Sequence, residues 1–338
     1  MTLFVENQTL ERAELLPLLA ELDNDGFAEA ALRIFRYQAR YNPLYARWLQ
    51  LLGCDPLGIK TPAAIPGLPI AFFKTHTVQT GPWIPTTTFT SSATTGQTPA
   101  QHRVRDLDFY LNNARRGFTQ FNGDPADWCV LALLPSYLER TGSSLVAMAH
   151  DFIERSRYSE SGFFLDDHQA LRATIERCQA QQIPTLLLGV SFALLDFAEQ
   201  QPMNLRGLTV METGGMKGRR RELTRAELHE ILGQAFQLEA IHSEYGMTEL
   251  FSQAYAPGGN LFEPASTMRV LATEINDPFS SVPFGRTGVL NIIDLANLDT
   301  CAFITTEDVG KVYADGRFEV LGRLDVAEMR GCNLMVEG

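Results

Sequence analysis

Lysine is scarce in this sequence, and acidic residues outnumber basic ones. There are 40 Asp and Glu against 28 Lys and Arg, so the formal net charge is −12. Sequence-independent binding to nucleic acid needs positive charge that displaces counterions from the phosphates. We therefore predict no nucleic-acid partner. Binding to an anionic membrane surface is disfavoured for the same reason.

Paired cysteines and long apolar runs are also missing. The five cysteines form no CxxC pair and no Cys/His cluster, which excludes a disulfide framework and a structural zinc site and indicates a reducing compartment. The first residues do not combine a basic start with a long apolar run, and apolar runs such as residues 130–134 are too short to span a bilayer. We expect a cytoplasmic protein without a signal peptide or a membrane partner.

The 338 residues, 45% of them hydrophobic, suit one large domain or two closely packed ones. Apolar spacing predicts helical structure over residues 10–52, ended by Gly53. A proline-rich stretch over residues 56–85 is expected to be extended or irregular. We divide the chain into a helical N-terminal segment (1–60), an α/β core (61–265) and a β-rich subdomain (266–338).

Strands and helices alternate through the middle of the chain. Predicted helices cover residues 106–121, 142–155, 167–181, 192–200 and 224–236, and predicted strands cover residues 128–134, 185–188 and 208–211. Thr224 and Glu227 form a candidate capping box for the last helix. Such alternation predicts βαβ units and a parallel sheet with helices on both faces. From residue 268 onward, strand-like runs at 268–272, 288–293 and 318–321 favour a smaller antiparallel or barrel-like subdomain.

The first motif is a hydroxyl-rich loop at residues 90–96. Backbone N–H groups near its terminal glycine and short hydroxyl side chains suit a polyphosphate. The candidate phosphate-binding residues are Thr90, Ser91, Ser92, Thr94, Thr95 and Gly96. A solvated Ser/Thr turn is the alternative, and no Gly-Lys-Ser/Thr sequence follows. His102, downstream of the loop, could donate to the same phosphates.

The second motif is Glu244-Tyr245-Gly246-Met247-Thr248-Glu249, which follows an apolar-leaning strand. The Tyr245 ring offers a stacking face for a base, and Gly246 permits close backbone approach. Thr248 and Glu249 bring a hydroxyl and a carboxylate together, which suits a phosphate with its Mg²⁺. The alternative is a strand that leads into a loop, where Tyr and Gly are common.

Two further motifs lie near the end of the chain. In residues 305–310, Asp308 at a strand end could accept hydrogen bonds from a ribose diol, as acidic residues do in other nucleotide sites; the alternative is a hairpin turn. In residues 322–325, Arg323 could reach a phosphate or ribose with its forked donors; the alternative is a turn that ends a strand.

The order and spacing of these four motifs resemble the acyl-adenylate-forming superfamily of acyl-CoA ligases, adenylation domains and luciferase-type enzymes. Longer strings are similar to the LuxE-type acyl-protein synthetases, which activate fatty acids for aldehyde-forming reductase complexes. The strings are residues 69–75, 212–219, 243–250, 294–297 and 330–332. The resemblance implies an α/β fold: the large N-terminal-type domain of the superfamily, with parallel sheets flanked by helices and a small β subdomain, and without the mobile C-terminal domain.

The resemblance also implies roles for single residues, with ATP as substrate and Mg²⁺ as cofactor. The hydroxyl-rich loop would hold the β and γ phosphates, and Glu249 the metal. The adenine and ribose would be bound by Gly214, Gly215, Glu244, Tyr245, Gly246, Asp308 and Arg323. Thr248 would lie between the α-phosphate and the acid. His242, which precedes the second motif, could border the carboxylate of that acid; a structural role is the alternative.

Cys332 resembles the cysteine of LuxE-type proteins that receives the acyl group and passes it to a reductase partner. Arg330 could lower the pKa of its thiol; a small residue packing the tail is the alternative. The sequence departs from the superfamily in having Ala93 where glycine is usual and no lysine after Gly96. An oligomeric complex is expected from the resemblance.

Three functions stay open at this point. The first is ATP-dependent activation of a carboxylic acid, by expectation a fatty acid, followed by transfer to Cys332 or to a partner's thiol. The second is an acyl- or aryl-CoA ligase that uses free CoA. The third is a non-catalytic nucleotide-binding scaffold, which the joint presence of Glu249 and Asp308 opposes.

Overall fold

The computed structural model describes residues 2–23, 25–92, 98–135, 142–214 and 223–324. Its helices are α1 (Thr2–Ala20), α2 (Phe27–Tyr41), α3 (Pro43–Leu51), α4 (Phe72–Thr75), α5 (Leu107–Asn122), α6 (Ser144–Arg155), α7 (His168–Ala180), α8 (Ser191–Gln200) and α9 (Arg225–Phe236). Within these residues, no helix is both long and apolar enough to cross a membrane.

The strands belong to two large sheets and one hairpin. They are β1 (Leu68–Pro69), β2 (Thr87–Thr90), β3 (Gln101–Val104), β4 (Cys129–Leu133), β5 (Gly162–Phe163), β6 (Thr185–Val190), β7 (Thr209–Thr213), β8 (His242–Tyr245), β9 (Ala254–Ala256), β10 (Glu263–Pro264), β11 (Met268–Glu274), β12 (Asp277–Ser281), β13 (Thr287–Asp294), β14 (Phe303–Val312) and β15 (Phe318–Arg323). Strands β2 and β3 form the hairpin.

The first sheet has the order β10-β9-β8-β7-β6-β4-β5. Strands β5, β4, β6, β7 and β8 are parallel, and β9 and β10 add on antiparallel. Every residue of β4 and β6 is buried, as expected for strands covered by helices on both faces. Helices α5 and α6 pack near β9 and β4, and helix α8 packs on β6 and β7 beside α9. The parallel α/β fold predicted from the alternation is confirmed.

The second sheet has the order β1-β14-β13-β11-β12, with β15 also paired to β14. Its pairs are antiparallel except β1 with β14. Helices α1, α2 and α3 contribute to the same hydrophobic core as this sheet. In that core the Phe35 and Phe303 rings meet edge to face, with 5.7 Å between centroids. The Arg12 guanidinium also reaches from α1 to Asp299, with Nε 2.6 Å from Oδ1.

The N-terminal helical prediction is wrong in its continuity and its start. Helix α1 begins at Thr2, and the chain leaves helical geometry before Phe27 and again at Asn42. Asn42 is extended and its side chain accepts a hydrogen bond of 3.0 Å from the Tyr45 N–H, which caps α3. Proline at the first position of α3 fits a helix start because its missing N–H has no partner there. Gly53 has φ +65° just beyond α3, so the predicted end is confirmed.

Two local predictions near the motifs have different outcomes. The capping box of α9 is confirmed: the Thr224 hydroxyl accepts from the Glu227 N–H, and the Glu227 carboxylate accepts from the Thr224 N–H at 2.8 Å. The interpretation of residues 305–310 as a strand end or a hairpin turn is wrong, because they lie inside β14. Acidic residues and glycine suggested a turn, but strands on both sides of β14 pair with this segment.

Candidate active site

Several sequence motifs meet where the parallel strands end. The carboxyl ends of β7 and β8 lead into Gly214 and Gly246. Gly142, in the connection after β4, accepts a 2.7 Å hydrogen bond from the Thr90 N–H through its carbonyl oxygen. The hydroxyl-rich loop therefore starts at this edge of the sheet. In open α/β sheets, ligands bind in the crevice outside the carboxyl ends of the strands.

The base of the hydroxyl-rich loop is a closed hairpin end. Thr90 pairs with Gln101 across β2 and β3. The Ser91 N–H donates to the Ala100 carbonyl at 3.0 Å, and the Ala100 N–H donates to the Ser91 hydroxyl at 2.8 Å. The Ser91 hydroxyl is thus an anchor of the loop base, and Ser92 is exposed beyond it. Thr94, Thr95 and Gly96 lie outside the described residues.

Gly142 fits tightly against the strand that enters this loop. Its φ is +91°, in the left-handed region that favours glycine, and a Cβ added there would come within 2.6 Å of the Thr88 carbonyl oxygen. A larger residue at position 142 would push β2 away from the sheet edge.

Tyr245, Asp308 and Arg323 form a cluster that joins the two sheets. The Tyr245 hydroxyl donates to Asp308 Oδ2 at 2.9 Å, and Arg323 Nε donates to Asp308 Oδ1 at 3.1 Å. Asp308 is 5% exposed, whereas 69% of the Arg323 side chain is exposed. Burial and the neighbouring Asp308 raise the pKa of Tyr245 well above its usual value. The structure therefore brings together three of the predicted nucleotide residues.

The segment after β8 is fixed by buried side chains. His102 Nδ1 donates to the Thr248 carbonyl at 2.9 Å, and Asn297 Nδ2 donates to the Glu249 carbonyl at 2.8 Å. One oxygen of Asp294 accepts from the N–H groups of Phe251 and Ser252, two and three residues after Glu249, at 2.7 and 2.8 Å. These bonds hold the backbone on both sides of the Thr248 and Glu249 side chains.

Glu249 is the predicted metal ligand, and the residue is only 7% exposed. Burial raises its pKa, while the charges of Arg323 and Lys74 oppose that shift. The described residues contain no cluster of three or more His, Cys, Asp or Glu that could hold a metal. Mg²⁺ is usually held by one or two carboxylates together with substrate phosphates, so a single buried carboxylate fits a metal that arrives with its nucleotide.

The prediction that His102 donates to phosphate is wrong. His102 is fully buried, and its Nε2 lies 2.9 Å from the Thr300 hydroxyl while Nδ1 holds Thr248. Burial lowers its pKa to about 4, so the ring is neutral at pH 7 and both nitrogens are engaged inside the protein. His242, at the start of β8, is partly buried, and burial together with the charge of His229 lowers its pKa.

A buried network behind Gly214 was missed by the sequence reasoning. Glu212 accepts from Arg225 Nε at 3.0 Å, and the Ser191 hydroxyl lies 3.0 Å from Glu212 and 2.7 Å from the Gly214 carbonyl. Burial opposes ionisation of Glu212, but hydrogen bonding to His229 and the charge of Arg225 bring its pKa below the usual value. The network fixes the glycine turn after β7. The sequence feature that could have indicated this network is Glu212, an acidic residue at the end of an apolar strand, two residues before Gly214. Gly215 lies outside the described residues.

Glu244, predicted to bind ATP, has a buried side chain on the α5 face of the sheet. It is 5% exposed and accepts a short hydrogen bond from the Thr213 hydroxyl. Burial, with a contribution from the charge of Glu212, raises its pKa to about 7. Gly246 has little room for a side chain, because a Cβ there would lie 2.5 Å from Glu244 Oε1.

Two of the described cysteines, Cys129 and Cys301, are poor nucleophiles. Burial raises the pKa of Cys129 and of Cys301 to about 12, so both thiols are neutral near pH 7. Cys129 is buried on β4, inside the strand predicted for residues 128–134, with its Sγ 3.7 Å from that of Cys178. Cys332 lies outside the described residues.

Solved structures share this fold at low sequence identity. ATP-bound MatB from Rhodopseudomonas palustris matches with 17% identity and a TM-score of 0.52, over 70% of this chain and 47% of that chain. A 2-hydroxyisobutyryl-CoA ligase, in complex with 2-HIB-AMP and CoA in the thioesterification state, matches with 15% identity and a TM-score of 0.64, over 90% of this chain and 69% of that chain. The same ligase with R3-HIB-AMP in the postadenylation state gives 13% identity and a TM-score of 0.64, over 88% and 68%.

These matches show that the chain has the α/β fold of the adenylate-forming ligases. The chain spans about half the length of MatB. No protein-family model matches the sequence, and no curated protein matches it either.

Proposed function

We propose that this protein activates a carboxylic acid with ATP and forms an acyl-adenylate. The observation that carries the proposal is the cluster of Tyr245, Asp308 and Arg323 at the sheet edge, beside the Gly214 turn and the base of the hydroxyl-rich loop. A buried carboxylate with one exposed arginine partner suits a ribose diol and a nearby phosphate. The ligases of the same fold were solved with ATP or with an acyl-AMP, which supports this assignment of the site.

In the proposed reaction, a carboxylate oxygen of the acid attacks the α-phosphorus of ATP. A new P–O bond forms, the bond from the α-phosphorus to the bridging oxygen breaks, and pyrophosphate leaves with that electron pair. Asp308 and Tyr245 would hold the ribose and adenine, and Thr248 would align the acid with the α-phosphate. Catalysis of this kind depends mostly on positioning and on neutralising charge. Mg²⁺, held by Glu249, would supply part of that neutralisation.

The acyl-adenylate then needs an acceptor. We propose a protein thiol, either Cys332 of this chain or a thiol of an acyl-reductase partner in an oligomeric complex. The raised pKa values of Cys54, Cys129 and Cys301 oppose a role for those three thiols. Free CoA is the second candidate acceptor, because the ligase with a TM-score of 0.64 was solved with CoA beside 2-HIB-AMP.

Exchange of labelled pyrophosphate into ATP tests the first half-reaction. We expect exchange that requires Mg²⁺ and a carboxylic acid, measured across a panel of acids. Exchange that is absent with every acid, while the protein remains folded, would rule out acid activation and favour a nucleotide-binding scaffold.

Intact mass tests the acceptor. Incubation with ATP and the active acid should add one acyl mass to the wild-type chain and none to Cys332→Ser, with Cys54→Ser as the matched control that retains the adduct. Turnover that needs CoA and leaves no adduct on the chain would instead assign the protein as a CoA ligase.

A further inference from the structure

A row of buried polar side chains crosses three strands on the α5 face of the parallel sheet. Thr213 on β7 pairs in register with Glu244 on β8, and Glu244 pairs with Tyr255 on β9. Gln253 lies just before β9, and its side-chain oxygen is 3.8 Å from where a Cβ on Gly117 of α5 would lie. The exposed fractions are 4%, 5%, 2% and 4% for Thr213, Glu244, Tyr255 and Gln253. The row lies one residue from Gly214 and Tyr245, so it borders the proposed nucleotide site.

Two atoms of this row have no hydrogen-bond partner. They are the Tyr255 hydroxyl and the Gln253 side-chain oxygen, both fully enclosed. The Gln253 amide nitrogen, in contrast, donates to the Phe251 carbonyl at 3.2 Å. Buried polar atoms in proteins are nearly always bonded, because an unpaired one loses its hydration without replacement. The two unpaired atoms belong to Tyr255 on β9 and to Gln253 just before that strand, so each can still accept a hydrogen bond from a polar group outside the chain.

Glu244 lies at the centre of the row. Its Oε2 accepts from Thr213, and its charge contributes to raising the pKa of both Tyr110 and Tyr255, after the larger effect of burial. A Cβ at position 246 would lie 2.5 Å from Glu244 Oε1, so glycine at this position leaves that oxygen room. The row therefore contains a carboxyl group, an amide oxygen and a phenol hydroxyl, all buried beside one another on β8 and at β9.

We propose that this row binds a hydrogen-bond-donating substituent, a hydroxyl or an amino group, on the acyl chain of the substrate acid. This inference rests on the proposed function, because it takes the acid to lie beside the nucleotide at the carboxyl ends of β7 and β8. An unsubstituted fatty chain would leave the Tyr255 hydroxyl and the Gln253 oxygen without partners. Sites built to bond a substrate hydroxyl reject the analogue that lacks it far more strongly than apolar pockets reject an extra methylene.

The test uses pyrophosphate exchange with acids of equal chain length that are unsubstituted, hydroxylated or aminated. We expect the wild type to favour a donor-bearing acid over the unsubstituted one by at least about 10-fold in kcat/KM. Tyr255→Phe keeps the ring and removes the hydroxyl, and it should reduce that ratio by about 10-fold. Tyr313→Phe is the control, because the Tyr313 hydroxyl bonds to Glu319 at 2.9 Å on the β14–β15 hairpin, and it should leave the ratio unchanged.

Glu244→Gln distinguishes an amino substituent from a hydroxyl substituent. Loss of the carboxylate should reduce exchange with the aminated acid more than exchange with the hydroxylated acid. A wild type that prefers the unsubstituted acid, or a ratio that Tyr255→Phe does not move, overturns the inference. If no acid supports exchange, the proposed function fails, and thermal melting with the same acids still tests the row. A melting temperature raised by the donor-bearing acids in the wild type but not in Tyr255→Phe supports the inference, and no rise overturns it.

Discussion

The Tyr245 hydroxyl donates a hydrogen bond of 2.9 Å to Asp308 across the boundary between the two sheets. The two residues are 63 positions apart in sequence, and each belongs to a different sheet. This bond fixes the relative positions of the aromatic ring that would contact adenine and the carboxylate that would contact ribose. The first prediction concerns that carboxylate.

Asp308→Asn should weaken ATP binding. The substitution keeps the size of the side chain but removes the negative charge that accepts hydrogen bonds from Tyr245 and Arg323 and, in our proposal, from the ribose. Loss of charge-assisted hydrogen bonds of about 1.5–3 kcal/mol corresponds to roughly 10- to 100-fold in the dissociation constant. Isothermal titration with ATP measures the change. Asp315→Asn, in the exposed turn where Asp315 pairs with Arg317, should bind like the wild type.

His102→Ala should lower kcat and destabilise the protein. It removes the buried ring whose Nδ1 holds the Thr248 carbonyl, and loss of such a packed side chain costs about 2–4 kcal/mol. His102→Asn places an amide nitrogen near the Nδ1 position and should recover part of the kcat. If both variants fall equally in stability and neither changes kcat, His102 has no positioning role. Chemical denaturation measures the unfolding free energy, and pyrophosphate-exchange kinetics measure kcat.

Glu212→Gln should be strongly destabilising, because it leaves the Arg225 guanidinium inside the protein without its anionic partner. Removing one partner of a buried ion pair costs about 3–5 kcal/mol in unfolding free energy. The matched control is Glu176→Gln on α7, which breaks a solvent-exposed pair with Arg172 and should cost about 0.5 kcal/mol or less. Equal losses for the two variants in urea unfolding would contradict a structural role for the Glu212 network.

The stability of the protein should depend on Glu244 through pH. Burial raises the pKa of Glu244 from 4.5 in the unfolded chain to about 7 in the folded protein. The folded state therefore holds the proton more tightly, so this contribution to stability is present below pH 4.5 and is lost as pH rises to about 7. Each pKa unit is about 1.4 kcal/mol, so the loss is on the order of 3 kcal/mol.

Glu244→Gln removes this titration. The difference in unfolding free energy between wild type and Glu244→Gln should shift in favour of the variant as pH rises from 5 to 8, and then stay constant. Glu239→Gln changes an exposed residue and should show no such shift. A pH-independent difference for Glu244→Gln would mean that the carboxyl group titrates normally in the folded protein.

Local patterns in the sequence predicted a large part of the fold. The capping box at Thr224 and the fully apolar run of β4 are decided by neighbours along the chain, and both were predictable. The bond between Tyr245 and Asp308, and the contact of His102 with Thr300 at a separation of 198 residues, depend on how sheets and loops pack. Helical or strand periodicity carries no information about such distant pairs.

The candidate site also combines features that the sequence predicts with features that only the packing of distant segments decides. The resemblance pointed to Tyr245, Asp308 and Arg323, and the structure places them in one cluster, whereas their binding roles stay predictions. The burial of Glu244 beside Thr213 could not be predicted, because alternation along β8 does not say which face α5 covers. Asp308 lies inside β14 and not at the predicted strand end, and its partners Tyr245 on β8 and Arg323 on β15 explain why the strand tolerates a buried carboxylate.

Acid activation by attack on the α-phosphorus is tested most directly by labelling the acid with ¹⁸O in its carboxylate. If the acyl-adenylate forms and its acyl group is then transferred, one carboxylate oxygen remains on the phosphorus, so the released AMP should carry one ¹⁸O atom by mass spectrometry. AMP without ¹⁸O, or release of ADP and phosphate in place of AMP and pyrophosphate, would contradict the proposed reaction.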